Sequence, residues 1–150
     1  MIDTPTIITT TARPTAVIRL KIPRAEIRTV MGPARDEVIA AAKDQGVGPA
    51  GPWFSYHYRM SPDTFDFEVG VPVNAPITPV GRVTPSELRS ARVAHTVYHG
   101  GPEGMGSAWG ELMAWIEREG LNAADDLWEI YAATSGQMSS WSTELYRPLK

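Results

Sequence analysis

Trp53-Phe54-Ser55-Tyr56-His57-Tyr58 and Trp128-Glu129-Ile130-Tyr131 are the stretches that decide the fold. Trp53 aligns with Trp128 and Tyr56 with Tyr131, both at an offset of 128 − 53 = 75. Around them the order of signals repeats. Gly46-Val47 aligns with Gly120-Leu121, and Glu68-Val69-Gly70-Val71-Pro72-Val73 with Glu144-Leu145-Tyr146-Arg147-Pro148-Leu149. Gly32-Pro33 aligns with Gly101-Pro102, which makes the second helix the longer one. A constant order of short matches argues for a duplicated unit.

Each unit reads as β-α-β-β. Ala16, Ile18, Leu20 and Ile22 alternate with Val17, Arg19 and Lys21, the period of a strand. Gly32-Pro33 punctuates the start of a helix at Arg35 to Gln45, which stops at Gly46. Trp53 to Met60 and Phe65 to Val73 form a hairpin around Ser61-Pro62-Asp63-Thr64. In the second unit Leu88 to Tyr98 is a strand and Met105 to Glu119 a helix. Trp109, Leu112, Met113 and Ile116 line one side of that helix. Leu127 to Ala133 and Thr143 to Leu149 are strands joined by a Ser/Gly-rich connection. The expected architecture is α+β, two pseudo-symmetric β-α-β-β repeats in one antiparallel sheet with both helices on one face. A single domain is expected over residues 1–150, with repeat one at about 15–74, a Pro/Gly-rich linker at 75–85 and repeat two at about 86–150.

Alternate residues of a strand face opposite ways. Trp53, Ser55 and His57 share one face, and Phe54, Tyr56 and Tyr58 the other. If Trp53 and Trp128 are equivalent, both pack under the helices. The opposite face then collects Phe54, Tyr56, Tyr58, Tyr131 and the carboxylate of Glu129. Rings around a carboxylate suit a flat cationic ligand, each cation–π contact adding roughly 0.5–2 kcal/mol. A poorly solvated Glu129 also has the raised pKa of a general acid or base. The competing reading is a partly solvated sheet face. Trp109 is a core residue by its stripe, and its place near the helix start lets it reach a ligand too.

Composition narrows the function. The 150 residues contain no cysteine, so disulfides, thiolate metal sites and cysteine nucleophiles are out. A net charge of −3 argues against direct nucleic-acid contact. No stretch reaches the ~18 apolar residues of a membrane span. The Thr-rich Met1 to Pro14 lacks the order of a signal peptide, so a cytoplasmic protein is expected, with this tail frayed or at a sheet edge. His95 and His99 would stand roughly 13 Å apart on a strand, too far for a metal pair. His57 reads as a surface or satisfied histidine. Gly104-Met105-Gly106-Ser107-Ala108-Trp109-Gly110 lacks the third glycine of a dinucleotide loop in register. Ser135, Ser139, Ser140 and Ser142 show no nucleophile-elbow pattern. Glu68 and Glu144 are repeat-equivalent and read as solvated strand ends. No metal and no cofactor are expected.

Trp128-Glu129-Ile130-Tyr131 followed by Thr143-Glu144-Leu145-Tyr146-Arg147-Pro148-Leu149 resembles the C-terminal signature of the GyrI-like small-molecule-binding family. Thr96-Val97-Tyr98-His99-Gly100-Gly101, with Trp109 and Leu112 after it, is similar as well, as is Gly51-Pro52-Trp53-Phe54-Ser55-Tyr56-His57. The resemblance runs from roughly Ala16 to Leu149. It implies two β-α-β-β repeats with a central ligand cleft, a fold also used as the effector-binding domain of AraC-type and MerR-type regulators. It implies hydrophobic, aromatic and often cationic ligands, with Glu129 as the pocket carboxylate and Tyr131 beside it. Some stand-alone members of that family hydrolyse cyclopropane-containing toxins. Relatives often carry an aromatic residue after the glycine turn where this chain has Gly101-Pro102-Glu103, so one pocket wall differs.

Three functions follow as expectations. The first is a stand-alone binding domain for multidrug-like or effector compounds, using Phe54, Tyr56, Tyr58, Trp109, Glu129 and Tyr131. The second is a hydrolase of electrophilic toxins, with Glu129 activating water and Tyr131 beside it as catalytic residues. The third is a protein-interaction module acting on a regulator or gyrase, or through a homodimer.

Overall fold

The computed structural model describes residues 2–60, 63–131 and 142–150. The expected turn residues Ser61 and Pro62, the strand end beyond Tyr131, and Ser135, Ser139 and Ser140 lie outside the described residues. The strands are β1 (Thr6–Thr9), β2 (Arg13–Pro23), β3 (Phe54–Met60), β4 (Thr64–Pro72), β5 (Thr84–Leu88), β6 (Arg92–His99), β7 (Leu127–Tyr131) and β8 (Ser142–Pro148). The helices are α1 (Ile27–Asp44) and α2 (Met105–Arg118), each preceded by a short 3₁₀ turn.

The strands form one antiparallel sheet in the order β1-β6-β8-β7-β3-β4-β2-β5. The inner six read β6-β8-β7 and then β3-β4-β2, so the β6-α2-β7-β8 unit mirrors β2-α1-β3-β4 across the β7–β3 junction. This is the α+β architecture that the repeat implied. The sheet is rolled. Only three residues join β1 to β2, a span of at most about 15 Å. In a flat sheet β6 and β2 would stand about 24 Å apart, five strand spacings. Val17 of β2 and Val93 of β6 accordingly meet in one buried cluster on the face away from the helices, with Phe54, Leu88 and Trp128.

On the other face the two helices build separate cores. Ala34, Val38, Ala41 and Ala42 of α1 pack on Ala16, Ile18, Phe67, Val69 and Val71. Ala108, Leu112 and Ile116 of α2 pack on Ala94, Tyr98 and Leu145. A buried Leu or Ile contributes roughly 1.5–3 kcal/mol, so each helix is held chiefly by its apolar stripe. Tyr98 also donates to the carbonyl of Gly101 at 2.7 Å, which ties the α2 approach to the sheet.

Two expectations about the elements need correction. The first helix starts at Ile27, and Pro33 lies inside it rather than before it. Pro33 forfeits one helical hydrogen bond. Val30, Ala34, Val38 and Ala41 nevertheless keep one stripe facing β2 and β4, and that burial outweighs the loss. With 18 residues against 14, α1 is the longer helix, and Gly32-Pro33 is not equivalent to Gly101-Pro102. The expected strand Leu88 to Tyr98 is two elements. Leu88 ends β5, which pairs with β2, and β6 begins at Arg92 beside β8. The connection Arg89-Ser90-Ala91 is anchored by Arg89, which grips Asp126 through two hydrogen bonds of 2.8 and 2.9 Å.

Candidate functional site

The site follows from which way β3 and β7 face. Ser55 and His57 pair with Val69 and Phe67 of β4, both in the α1 core, so Ser55 and His57 point to the helix face. Ser55 also pairs with Glu129, and directly opposed residues share a face. Glu129 and Tyr131 therefore lie on the helix face. α1 packs on β4 and β2 and α2 on β6, so the β3–β7 junction lies between the two helices.

Three elements meet there. Trp109 of α2 donates its indole N–H to Glu129 Oε2 at 2.5 Å. Tyr131 donates its hydroxyl to Glu129 Oε1 at 2.6 Å. Ser55 and Tyr131 share a hydrogen bond of 2.7 Å, and His57 Nε2 lies 3.2 Å from Ser55 Oγ. The Trp53 ring stands against Tyr131 with centroids 4.3 Å apart, and Arg35 of α1 lies over Trp53 at 5.4 Å. Ser55 and His57 are buried, whereas Trp53, Trp109, Glu129 and Tyr131 each keep part of their surface accessible. Partly accessible rings and a partly accessible carboxylate thus lie over a buried polar floor between the two helices.

The electrostatics are those of a desolvated acid. Burial pushes the Glu129 carboxyl above its ordinary value, while the Tyr131 hydroxyl and Trp109 N–H oppose that rise. The Tyr131 hydroxyl is pushed well above its ordinary range by burial, by the neighbouring Glu129 charge and by the proton it donates to it. Burial holds His57 neutral, with its pKa lowered to about 4 and the Arg24 charge adding to the effect. Among the described residues, no Lys, Arg or His forms a salt bridge with Glu129.

Trp109, Glu129 and Tyr131 are thus brought together, but on the helix face, whereas Glu129 and Tyr131 were expected on the opposite one. Phe54, Tyr56 and Tyr58 are not with them, and this corrects the expected grouping. They face the opposite side of the sheet, where Trp128 also lies. The cause is parity. The offset of 75 that matches Trp53 to Trp128 is odd, and an odd offset inverts faces. Residues that face each other across the junction differ by an even number, as Ser55 and Glu129 do by 129 − 55 = 74. Phe54 is 1% exposed and packs in the rolled interior. Tyr56 donates to Asp126 at 2.5 Å, and Tyr58 donates to Glu68. Trp128 stacks on Tyr146 at 5.4 Å. Glu68 is not a solvated strand end but is buried, with Ser86 as a second donor. Glu144 accepts from Tyr146 and pairs with His95, each at 3.0 Å.

Trp53, Ser55 and His57 were not expected at the site. The available signal was a serine and a histidine alternating with a tryptophan on the face that must lie under the helices. Apolar residues alone would fill a plain core there.

The family model of the GyrI-like small molecule binding domain matches residues 3–150, and the chain belongs to this family. Solved structures share the fold. The EcmrR C-terminal domain superposes with a TM-score of 0.83 at 17% identity, covering 98% of this chain and 97% of that one. In the EcmrR–DNA complex the match spans only 57% of the EcmrR chain. SAV2435 bound to tetraphenylphosphonium superposes with a TM-score of 0.75 at 13% identity, covering 99% and 94% of the two chains. A hydrolase from Listeria innocua does so with a TM-score of 0.63 at 12% identity, covering 97% and 91%. No curated protein matches in sequence. No helix among the described residues is long and apolar enough to cross a membrane.

Proposed function

We propose that the chain binds hydrophobic aromatic compounds carrying positive charge in the cleft between α1 and α2. Trp53, Trp109 and Tyr131 are the walls and Glu129 the charge-recognising group. One observation carries the reading. Glu129 is a desolvated carboxylate whose two oxygens are held by neutral donors. Leaving a charge in such a site costs stability, and a ligand cation against the rings recovers it. SAV2435 with tetraphenylphosphonium supports the ligand class.

The raised pKa of Glu129 and the adjacent Tyr131 hydroxyl favour a second reading. In it Glu129 takes a proton from water as the water oxygen bonds an electrophilic cyclopropane carbon. A ring C–C bond breaks, its electrons pass into the conjugated acceptor of the toxin, and that acceptor then takes up the proton. Incubation with cationic and electrophilic aromatic compounds, read by tryptophan fluorescence and mass spectrometry, separates the two. Saturable quenching with unchanged ligand supports binding. A hydrated product lost in Glu129→Gln supports catalysis. Neither result, together with a co-purifying protein that these compounds do not displace, supports an interaction module instead.

A further inference from the structure

We infer that Ser55 and His57 are positioning residues for Glu129, the far members of a one-way chain of hydrogen-bond donors from His57 through Ser55 and Tyr131 to the carboxylate. This rests on the reading above, in which Glu129 meets the charge of the ligand.

Proton counting sets the direction. Tyr131 has one hydroxyl proton and gives it to Glu129 Oε1. Its oxygen must therefore accept in the 2.7 Å contact with Ser55. That uses the only proton of Ser55, so the 3.2 Å contact to His57 is donated by Nε2–H of the ring. A neutral imidazole carries one N–H, which leaves Nδ1 bare. Nδ1 is indeed buried with no hydrogen-bond partner among the described residues. A second proton there would be a buried donor with nothing to bond, so the ring stays neutral and the direction fixed. Phe67 stacks on the ring at 5.0 Å with the planes 7° apart, and Phe65 meets it edge-on at 5.4 Å.

A core requirement alone does not explain these residues. The strand beside them fills the same layer with Phe67, Val69 and Val71. A hydroxyl and an imidazole buried in that layer cost free energy unless hydrogen-bonded, and the imidazole still leaves Nδ1 without a partner, so their presence calls for something they act on. What they act on is Tyr131. A donor on its oxygen strengthens its own O–H as a donor and holds it toward Oε1, leaving the remaining lone pairs of Glu129 for a ligand. The groups that face Glu129 are Tyr131 from its own strand, Trp109 from α2, and Ser55 with His57 behind it from β3. Arg35 on α1 stands one ring further off, over Trp53.

The test is calorimetric titration of the full chain with tetraphenylphosphonium from pH 5 to 8, on variants shown to be folded by circular dichroism. Ser55→Ala is expected to weaken binding about five-fold, the value of one hydrogen bond, and to move the pH midpoint of binding upward. His57→Phe, which keeps the ring packing, is expected to act in the same direction by about two- to three-fold. In a Tyr131→Phe background Ser55→Ala should have no further effect, since the chain is already cut. Unchanged affinity and midpoint in Ser55→Ala and His57→Phe, beside weakened binding in Glu129→Gln, would overturn the chain and leave the function standing. An equal Ser55→Ala effect with and without the Tyr131 hydroxyl would also overturn it. If Glu129→Gln itself binds as wild type, the functional reading fails.

Discussion

Ser55 and Glu129 stand directly opposite each other where β3 meets β7, and their spacing of 129 − 55 = 74 is also that of Gly46 and Gly120, which follow the two helices with the same φ of 70°. The duplicated fold has placed a hydroxyl on one side of its pseudo-symmetry axis and a carboxylate on the other. One neighbouring position differs in the same way. His57 and Tyr131 have the same spacing, 131 − 57 = 74, and they flank the pair on the same face. The site is therefore asymmetric in chemistry while symmetric in backbone.

A partly buried acid with a raised pKa makes stability depend on pH in a definite sense. The folded state holds the Glu129 proton above the ordinary carboxyl value of 4.5, so its contribution is fully present below that pH and is lost as pH rises through the folded value. Glu129→Gln removes the dependence. Its Tm at pH 8 should rise by about 2–4 °C, the equivalent of roughly 1 kcal/mol. Calorimetry of both proteins from pH 5 to 8 checks this, and a lower Tm at pH 8 with an unchanged slope would contradict it.

Asp126 should behave oppositely. Burial alone would raise its carboxyl, but hydrogen bonds from Arg89 and Tyr56 overcome that and hold it below its ordinary value of 3.8. Its contribution is present above that value and lost as pH falls through the lower folded one. Arg89→Met should cost about 2 kcal/mol at neutral pH, as a lost charged hydrogen-bond pair does. The cost should shrink in acid. Urea unfolding at pH 7 and pH 3 measures both, and an equal cost at the two pH values would refute the assignment.

The two ring sets should separate experimentally. Phe54 lies in the rolled interior, so Phe54→Leu should lower stability by about 1–3 kcal/mol and leave tetraphenylphosphonium affinity within two-fold. Trp53→Leu should do the reverse, weakening binding by about ten-fold through lost ring area. Thermal melts and titrations on the same preparations decide it.

These rings also show what was legible in the sequence. The alternation within Trp53 to Tyr58 separates the two faces correctly, because polar Ser55 and His57 share one face while Phe54, Tyr56 and Tyr58 share the other. The α2 stripe was equally plain, since Leu112 and Ile116 repeat at helical spacing. The orientation of β7 was not legible. Leu127-Trp128-Glu129-Ile130-Tyr131 carries large side chains on both faces, and both are covered, so alternation has no polar side to mark. Only pairing with β3 fixes it. The length of α1 was hidden by Pro33, a local stop signal that tertiary burial overrides.

A close approach gives a further prediction. A Cβ on Gly70 would fall 2.6 Å from the Ala16 carbonyl oxygen and 2.9 Å from Phe54 Cζ. Backbone cannot move aside in the middle of the sheet, so Gly70→Ala should destabilise by about 2 kcal/mol or more. The exposed Gly110 meets nothing within 4 Å, and Gly110→Ala should stabilise α2 by up to about 1 kcal/mol. Paired chemical denaturation checks the contrast, and equal effects of the two substitutions would contradict the packing.

Charge recognition by Glu129 is tested most directly by titrating wild type and Glu129→Gln with tetraphenylphosphonium and with neutral triphenylphosphine oxide. Wild type should prefer the cation, and Glu129→Gln should lose about ten-fold or more for the cation alone, in line with a charged contact of 1.5–3 kcal/mol. Equal affinity of both proteins for the cation, or an equal loss for both ligands, would contradict the account.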